Sequence, residues 1–198
     1  MLKKKWLMVM VIGLLCIVSV SAETTIVVGQ ATDPVILDPP MYSDTPTHNL
    51  NLLIYDRLYD LSSDGKIVPG LAVDLPKIEE NGTKYTIKIR SGVRFHDGQA
   101  LTIDDVIYSF QRGAFSDKSQ MKSIFAMMYD LKKIDNYTMQ FRTGLFDKAK
   151  SGGKVQDSDL KSFDERTKYY KPAAFGSQLN QLTWLGASIV SKVALEKA

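Results

Sequence analysis

The spacing of hydrophobic and polar positions along this 198-residue chain changes several times. Residues 24–29 (TTIVVG) form a short β-branched run, the pattern of a buried first strand. Val35-Ile36-Leu37-Asp38-Pro39-Pro40 follows as a proline-punctuated loop. From Pro46 onward, Leu50, Leu53, Ile54 and Leu58 recur at i, i+3, i+4 and i+8. This spacing predicts an amphipathic helix, with Thr45 or Thr47 placed to cap it. Asp64-Gly65 lies between two short apolar runs and predicts a hairpin with a primed turn. Asn81-Gly82 marks a second turn, after which Tyr85, Ile87 and Ile89 alternate with Thr86, Lys88 and Arg90. One face of that strand is expected to be buried and the other wet.

Leu101-Thr102-Ile103-Asp104-Asp105 begins the next helix. Thr102 and Asp105 have the spacing of a reciprocal cap, and both acids suit the positive end of a helix dipole. Met121, Ile124, Phe125 and Met128 repeat at helical spacing and read as core rather than as a ligand-gripping methionine surface. Residues 137–141 alternate again and close a hairpin with residues 131–134 across an Asp135-Asn136 turn. Residues 144–170 are polar, hold Gly152-Gly153 and read as a surface loop. Phe175, Leu179 and Leu182 mark one more helical face, and a last helix starts at Lys192.

The N-terminus changes the picture of where this pattern resides. Lys3, Lys4 and Lys5 precede an apolar run from Trp6 to Val18, and Val20-Ser21-Ala22 is a small-x-small exit, so residues 1–22 read as a secretory signal peptide cut after Ala22. The apolar run is shorter than the roughly 20 residues of a membrane span. Cys16, the single cysteine, lies within that segment behind Leu14 and Leu15, which is not a lipidation context. Cleavage would leave no cysteine. It would also remove three lysines from a chain with 25 basic and 22 acidic residues, bringing the charge to balance. No basic stripe remains that would mark a nucleic-acid partner.

Phe95-His96-Asp97-Gly98 is the densest candidate for chemistry. His48 is the only other histidine, and no H-E-x-x-H pattern supplies further ligands, so no metal is expected. Neighbours on an extended strand point to opposite faces, which keeps His96 and Asp97 apart. The preferred reading is a tight Asp97-Gly98 turn between strand and helix, with Phe95 packed inward. No G-x-S-x-G elbow exists, and Gly152-Gly153-Lys154 lacks the spacing of a phosphate loop.

The order of these segments resembles a known family. Thr32-Asp33-Pro34 with Leu37-Asp38-Pro39, Asp64-Gly65-Lys66-Ile67-Val68-Pro69-Gly70-Leu71-Ala72, Gly92-Val93-Arg94-Phe95-His96-Asp97-Gly98 and the run from Leu101 to Phe110 are similar to the large extracytoplasmic solute-binding proteins of ABC transporters for oligopeptides and dipeptides, solute-binding protein family 5. The resemblance spans most of residues 26–142. It implies an α/β, periplasmic-binding-protein-like fold of type II, with a partial first lobe, an accessory α+β subdomain and no second lobe. By analogy, residues 23–47 and 172–198 form the main part of lobe one and 48–171 the accessory subdomain.

The resemblance further implies a monomeric, non-enzymatic, cofactor-free receptor that delivers peptides to a membrane permease driven by an ATPase. Thr32, Asp33, Pro34 and Leu37 are the expected ligand contacts, with Trp184 as an aromatic candidate. An oligosaccharide is the alternative ligand within the family. A secreted hydrolase using His96 and a stand-alone envelope interaction module are the alternatives from other classes. Family members are usually more than twice this long, so the chain is expected to be a truncated form.

Overall fold

The computed structural model describes residues 25–174, 182–183 and 188–197. The chain divides into two units at the boundary between Ala31 and Thr32. In the first unit, Thr25 to Gln30 take no regular structure, and Ile26, Val27 and Val28 are 83%, 88% and 70% exposed. The buried strand expected at residues 24–29 is therefore not formed in its described part. A strand made from such a run is stable only when ladder partners and apolar cover surround it, and no described strand pairs with it.

The second unit opens with α1 (Thr45–Ile54), continues with the hairpin β1 (Tyr59–Leu61) and β2 (Ile67–Pro69), and then with β3 (Lys77–Glu79) and β4 (Lys84–Lys88). Next come α2 (Ile103–Phe115), β5 (Met128–Asp135), β6 (Thr138–Phe146), the short helices α3 (Lys148–Ser151) and α4 (Phe163–Tyr169), β7 (Tyr170–Pro172) and α5 (Lys192–Lys197). The main sheet is antiparallel in the order β3-β4-β6-β5, and β7 pairs with the end of β6. Tyr85 pairs with Phe141 and Ile87 with Met139, so these four side chains share one face. The Tyr85 and Phe141 rings stack at 5.0 Å. Helix α2 places Ile103, Val106, Phe110 and Ala114 in the same core cluster. The wet face of β4 carries Thr86 and Lys88, as its alternation requires.

Four local expectations need correction. Helix α1 is capped by Asp44, whose carboxylate accepts the Thr47 N–H at 2.9 Å. Thr47 and Asn51 are its buried residues, whereas Leu53 is 76% exposed, and of the predicted stripe only Leu58, beyond the end of the helix, is buried in the core. The Asp64-Gly65 turn is not primed, because Gly65 takes a φ of 76° while Asp64 is absent from the positive-φ residues. With Ser62 N–H bonded to the Lys66 carbonyl, this is a three-residue loop closed by a left-handed glycine.

Residues 121–128 bury Ile124, Phe125 and Met128 as expected, yet only a 3-10 turn forms over Lys122–Phe125, and Met128 already belongs to β5. Residues 144–170 are not a loop. They complete β6 and carry α3 and α4, with Leu160, Phe163 and Tyr170 buried. Polar composition concealed a few well-placed apolar anchors. The predicted final helix forms as α5, and the helical face through Phe175 and Leu179 lies outside the described residues.

Candidate functional site

Residues 32–44 form a loop held against α1 and α2. Thr32, Asp33 and Leu37 are exposed, and Pro34 is half-buried. Val35, Ile36 and Leu37 are 80%, 42% and 42% exposed, so apolar burial does not hold this stretch in place. Its fixed points are polar. Val35 N–H donates to the Thr47 hydroxyl at 3.0 Å. Arg112, in the last turn of α2, grips Asp38 with two guanidinium nitrogens at 3.0 and 2.5 Å. Met41 N–H donates to the Asp38 carbonyl at 3.0 Å, and Gln120 N–H to the Pro40 carbonyl at 2.8 Å. Trp184 lies outside the described residues.

The electrostatics centre on that ion pair. Hydrogen bonding to Asp38 raises the Arg112 pKa above its ordinary value despite partial burial. Burial raises the Tyr55 hydroxyl pKa, and the negative charge of Asp38 adds to the effect. Sequence reasoning marked Asp38 as part of a motif but did not assign it a partner. The 74 positions between Asp38 and Arg112 leave no local spacing that could have signalled the pair.

Phe95-His96-Asp97-Gly98 forms a turn, as expected, but within a small hairpin rather than at a strand-to-helix corner. Arg94 bridges Ala100 antiparallel, Phe95 N–H bonds the Gln99 carbonyl, and Gly98 N–H bonds the Phe95 carbonyl, each at 2.9 Å in the latter two cases. Gly98 takes a φ of 85°, a conformation that glycine adopts without strain. The Asp97 carboxylate is engaged locally by the Gln99 backbone N–H at 3.0 Å and its side-chain amide at 2.8 Å. A cavity of about 320 Å³ lies beside this hairpin, with Tyr55, Leu71, Phe95, Leu101 and Ile189 among its walls. His96 and Asp97 both line it, because in a turn they need not diverge as they would on a strand. Among the described residues no three of His, Cys, Asp or Glu gather as a metal site.

Comparison with known proteins gives this arrangement a context. Residues 66–148 match the family described as bacterial extracellular solute-binding proteins, family 5 middle. The oligopeptide-binding protein AppA of Bacillus subtilis (strain 168) is 26% identical over 118 residues, covering 59% of this chain and 22% of that protein. The dipeptide-binding protein of Escherichia coli (strain K12) is 26% identical over 143 residues, covering 62% of this chain and 26% of that protein. The chain thus spans about a quarter of the length of these curated relatives. Among solved structures, the pheromone receptor PrgZ superposes with a TM-score of 0.65 at 21% identity, covering 84% of this chain and 31% of that one. At that identity the likeness carries the fold alone. Over residues 66–148, less than half of its length, the chain is similar to the bacterial extracellular solute-binding proteins of family 5.

Proposed function

We propose that this chain supplies part of the first lobe of an extracytoplasmic receptor that captures peptides and delivers them to an ABC permease and its ATPase. Residues 1–22 act as a signal peptide cleaved after Ala22. Residues 23–47 and 172–198 belong to the main part of the lobe, and 48–171 to its accessory subdomain. The ligand lies along residues 32–37, with Thr32, Asp33, Pro34 and Leu37 in contact and Trp184 as an aromatic wall. The receptor works without covalent chemistry or a cofactor, as a monomer, and transport energy comes from the ATPase.

The observation that supports this reading best is the match of residues 66–148 to the bacterial extracellular solute-binding proteins of family 5. The exposed 32–37 loop, held by polar groups at its base, agrees with a contact surface. Ligand affinity of this chain is weak, because a one-sided surface leaves the other side of a bound peptide in water. Saturation-transfer difference NMR suits millimolar affinity, about 4 kcal/mol of binding free energy. Tri- to pentapeptides at millimolar concentration should receive saturation from the protein, whereas malto-oligosaccharides should not. Transfer to the sugars alone would select an oligosaccharide receptor, and transfer to neither would contradict the receptor reading.

A further inference from the structure

We infer that the Asp38–Arg112 ion pair is the positioning element of the 32–37 loop, clamping its base to the last turn of α2 so that Val35, Ile36 and Leu37 stay outside the core. The inference rests on the reading of that loop as the ligand contact, and it names two residues that do not touch the ligand.

Three observations carry it. First, an extended stretch bearing three consecutive apolar side chains gains free energy by collapsing onto neighbouring apolar surface. Here Val35, Ile36 and Leu37 remain exposed, and α1 beside them leaves Leu52 and Leu53 43% and 76% exposed. The position of the loop is therefore set by contacts other than apolar burial.

Second, the only charged restraint on the described part of the loop is at its base. Asp38 and Arg112 have side chains 26% and 19% exposed, and their contact is two-pronged, which fixes direction as well as distance. The buried Pro39 and Pro40 follow immediately, so the orientation set at Asp38 passes into a segment with restricted φ.

Third, the partner of Asp38 is anchored on a regular element. Arg112 occupies the last turn of α2, whose C-terminal end carries partial negative charge. The Asp38 carboxylate is held there by the Arg112 guanidinium, which it meets with both oxygens. The pair therefore acts as a unit: loss of either member leaves the other half-buried without its counter-charge. Tyr55 and Tyr108 lie close enough to be influenced electrostatically by these charges and complete their surroundings.

Amide hydrogen exchange on the whole chain tests this without any ligand. Asp38→Ala should accelerate exchange at the Val35 and Met41 amides by about tenfold, equivalent to about 1.4 kcal/mol. Exchange at Met139 and Phe141 in β6 should stay unchanged. The double variant Asp38→Arg with Arg112→Asp should restore much of the protection, while Lys133→Ala, which removes an exposed pair with Asp104, should leave the loop as it is. Unchanged loop exchange in Asp38→Ala, or acceleration spread evenly through β6, would overturn the inference.

Trialanine is the ligand probe. Its saturation-transfer signal should fall in Asp38→Ala and return in the swapped double variant. Absence of that signal in the unmodified chain would defeat the receptor reading, and loop exchange would still decide the role of the pair.

Discussion

Asp44 gives a prediction at acid pH. The Thr47 N–H donates to its carboxylate, and this bond, joined by the Thr47 side chain, holds the carboxyl below its usual range. Because the folded value lies below the unfolded one near 3.9, the contribution is complete above the unfolded value and is lost as pH falls through the folded one. Amide protection in α1 should therefore decline as pH falls below the unfolded carboxylate value, and Asp44→Ala should remove that pH-dependent part already at neutral pH. A different kind of residue holds α4. Arg166 is 6% exposed, donates to the Phe125 and Met128 carbonyls at 2.7 and 3.1 Å, and lies 4.7 Å above the Phe115 ring. Burial lowers its pKa, yet a guanidinium remains charged at neutral pH. Arg166→Met should destabilise by about 2–3 kcal/mol, since two carbonyls lose their donor; unchanged urea stability would contradict this. At this scale, legibility follows sequence separation. Thr102 and Asp105 could be read as a cap because they are three apart, and Thr102 N–H does bond the Asp105 carboxylate at 2.9 Å. Arg166 lies 41 positions from Phe125, and nothing local announces that contact.

At the scale of elements, alternation was a better guide than helical spacing. Tyr85, Ile87 and Ile89 are all nearly inaccessible, because a half-buried antiparallel strand leaves little choice of face. Helix α1 failed that logic: its apolar residues recur at 3.6-residue spacing, but the local packing buries Thr47 and Asn51 instead. The methionine-rich stretch at 121–128 was correctly read as core and wrongly as a helix, since an apolar count fixes burial more firmly than period. Two elements offer tests. Gly113 in α2 faces Phe125, and a Cβ there would collide with the ring, so Gly113→Ala should cost about 1–3 kcal/mol through overpacking. Asp105 also accepts the Lys192 N–H at 3.0 Å and so anchors the start of α5. Asp105→Ala should destabilise by about 2 kcal/mol and speed exchange at Lys192. Protection of Lys192 equal to that of the unmodified protein would show that α5 is held by its apolar contacts alone.

At the scale of the whole molecule, the order of turns and strands carries the similarity to the family 5 solute-binding proteins, whereas no single side chain does. Residues 66–148, which carry the match, hold Asp64-Gly65's following strand, the β3–β4 turn, the Phe95–Gly98 turn and α2. These are features of scaffold. The proposed contact surface is less legible, because residues 32–37 form a loop with no periodicity, and Asp38 at its base pairs with Arg112 far along the chain. The central claim is that peptide lies on this loop and not in the cavity beside His96. Photo-crosslinking captures weak complexes, so a tripeptide bearing one benzoylphenylalanine, irradiated with the chain and mapped by mass spectrometry, tests the claim most directly. Adducts concentrated on residues 32–37 and competed by trialanine are the predicted result; adducts on residues 93–97 and 189–195, or label scattered without competition, would contradict it.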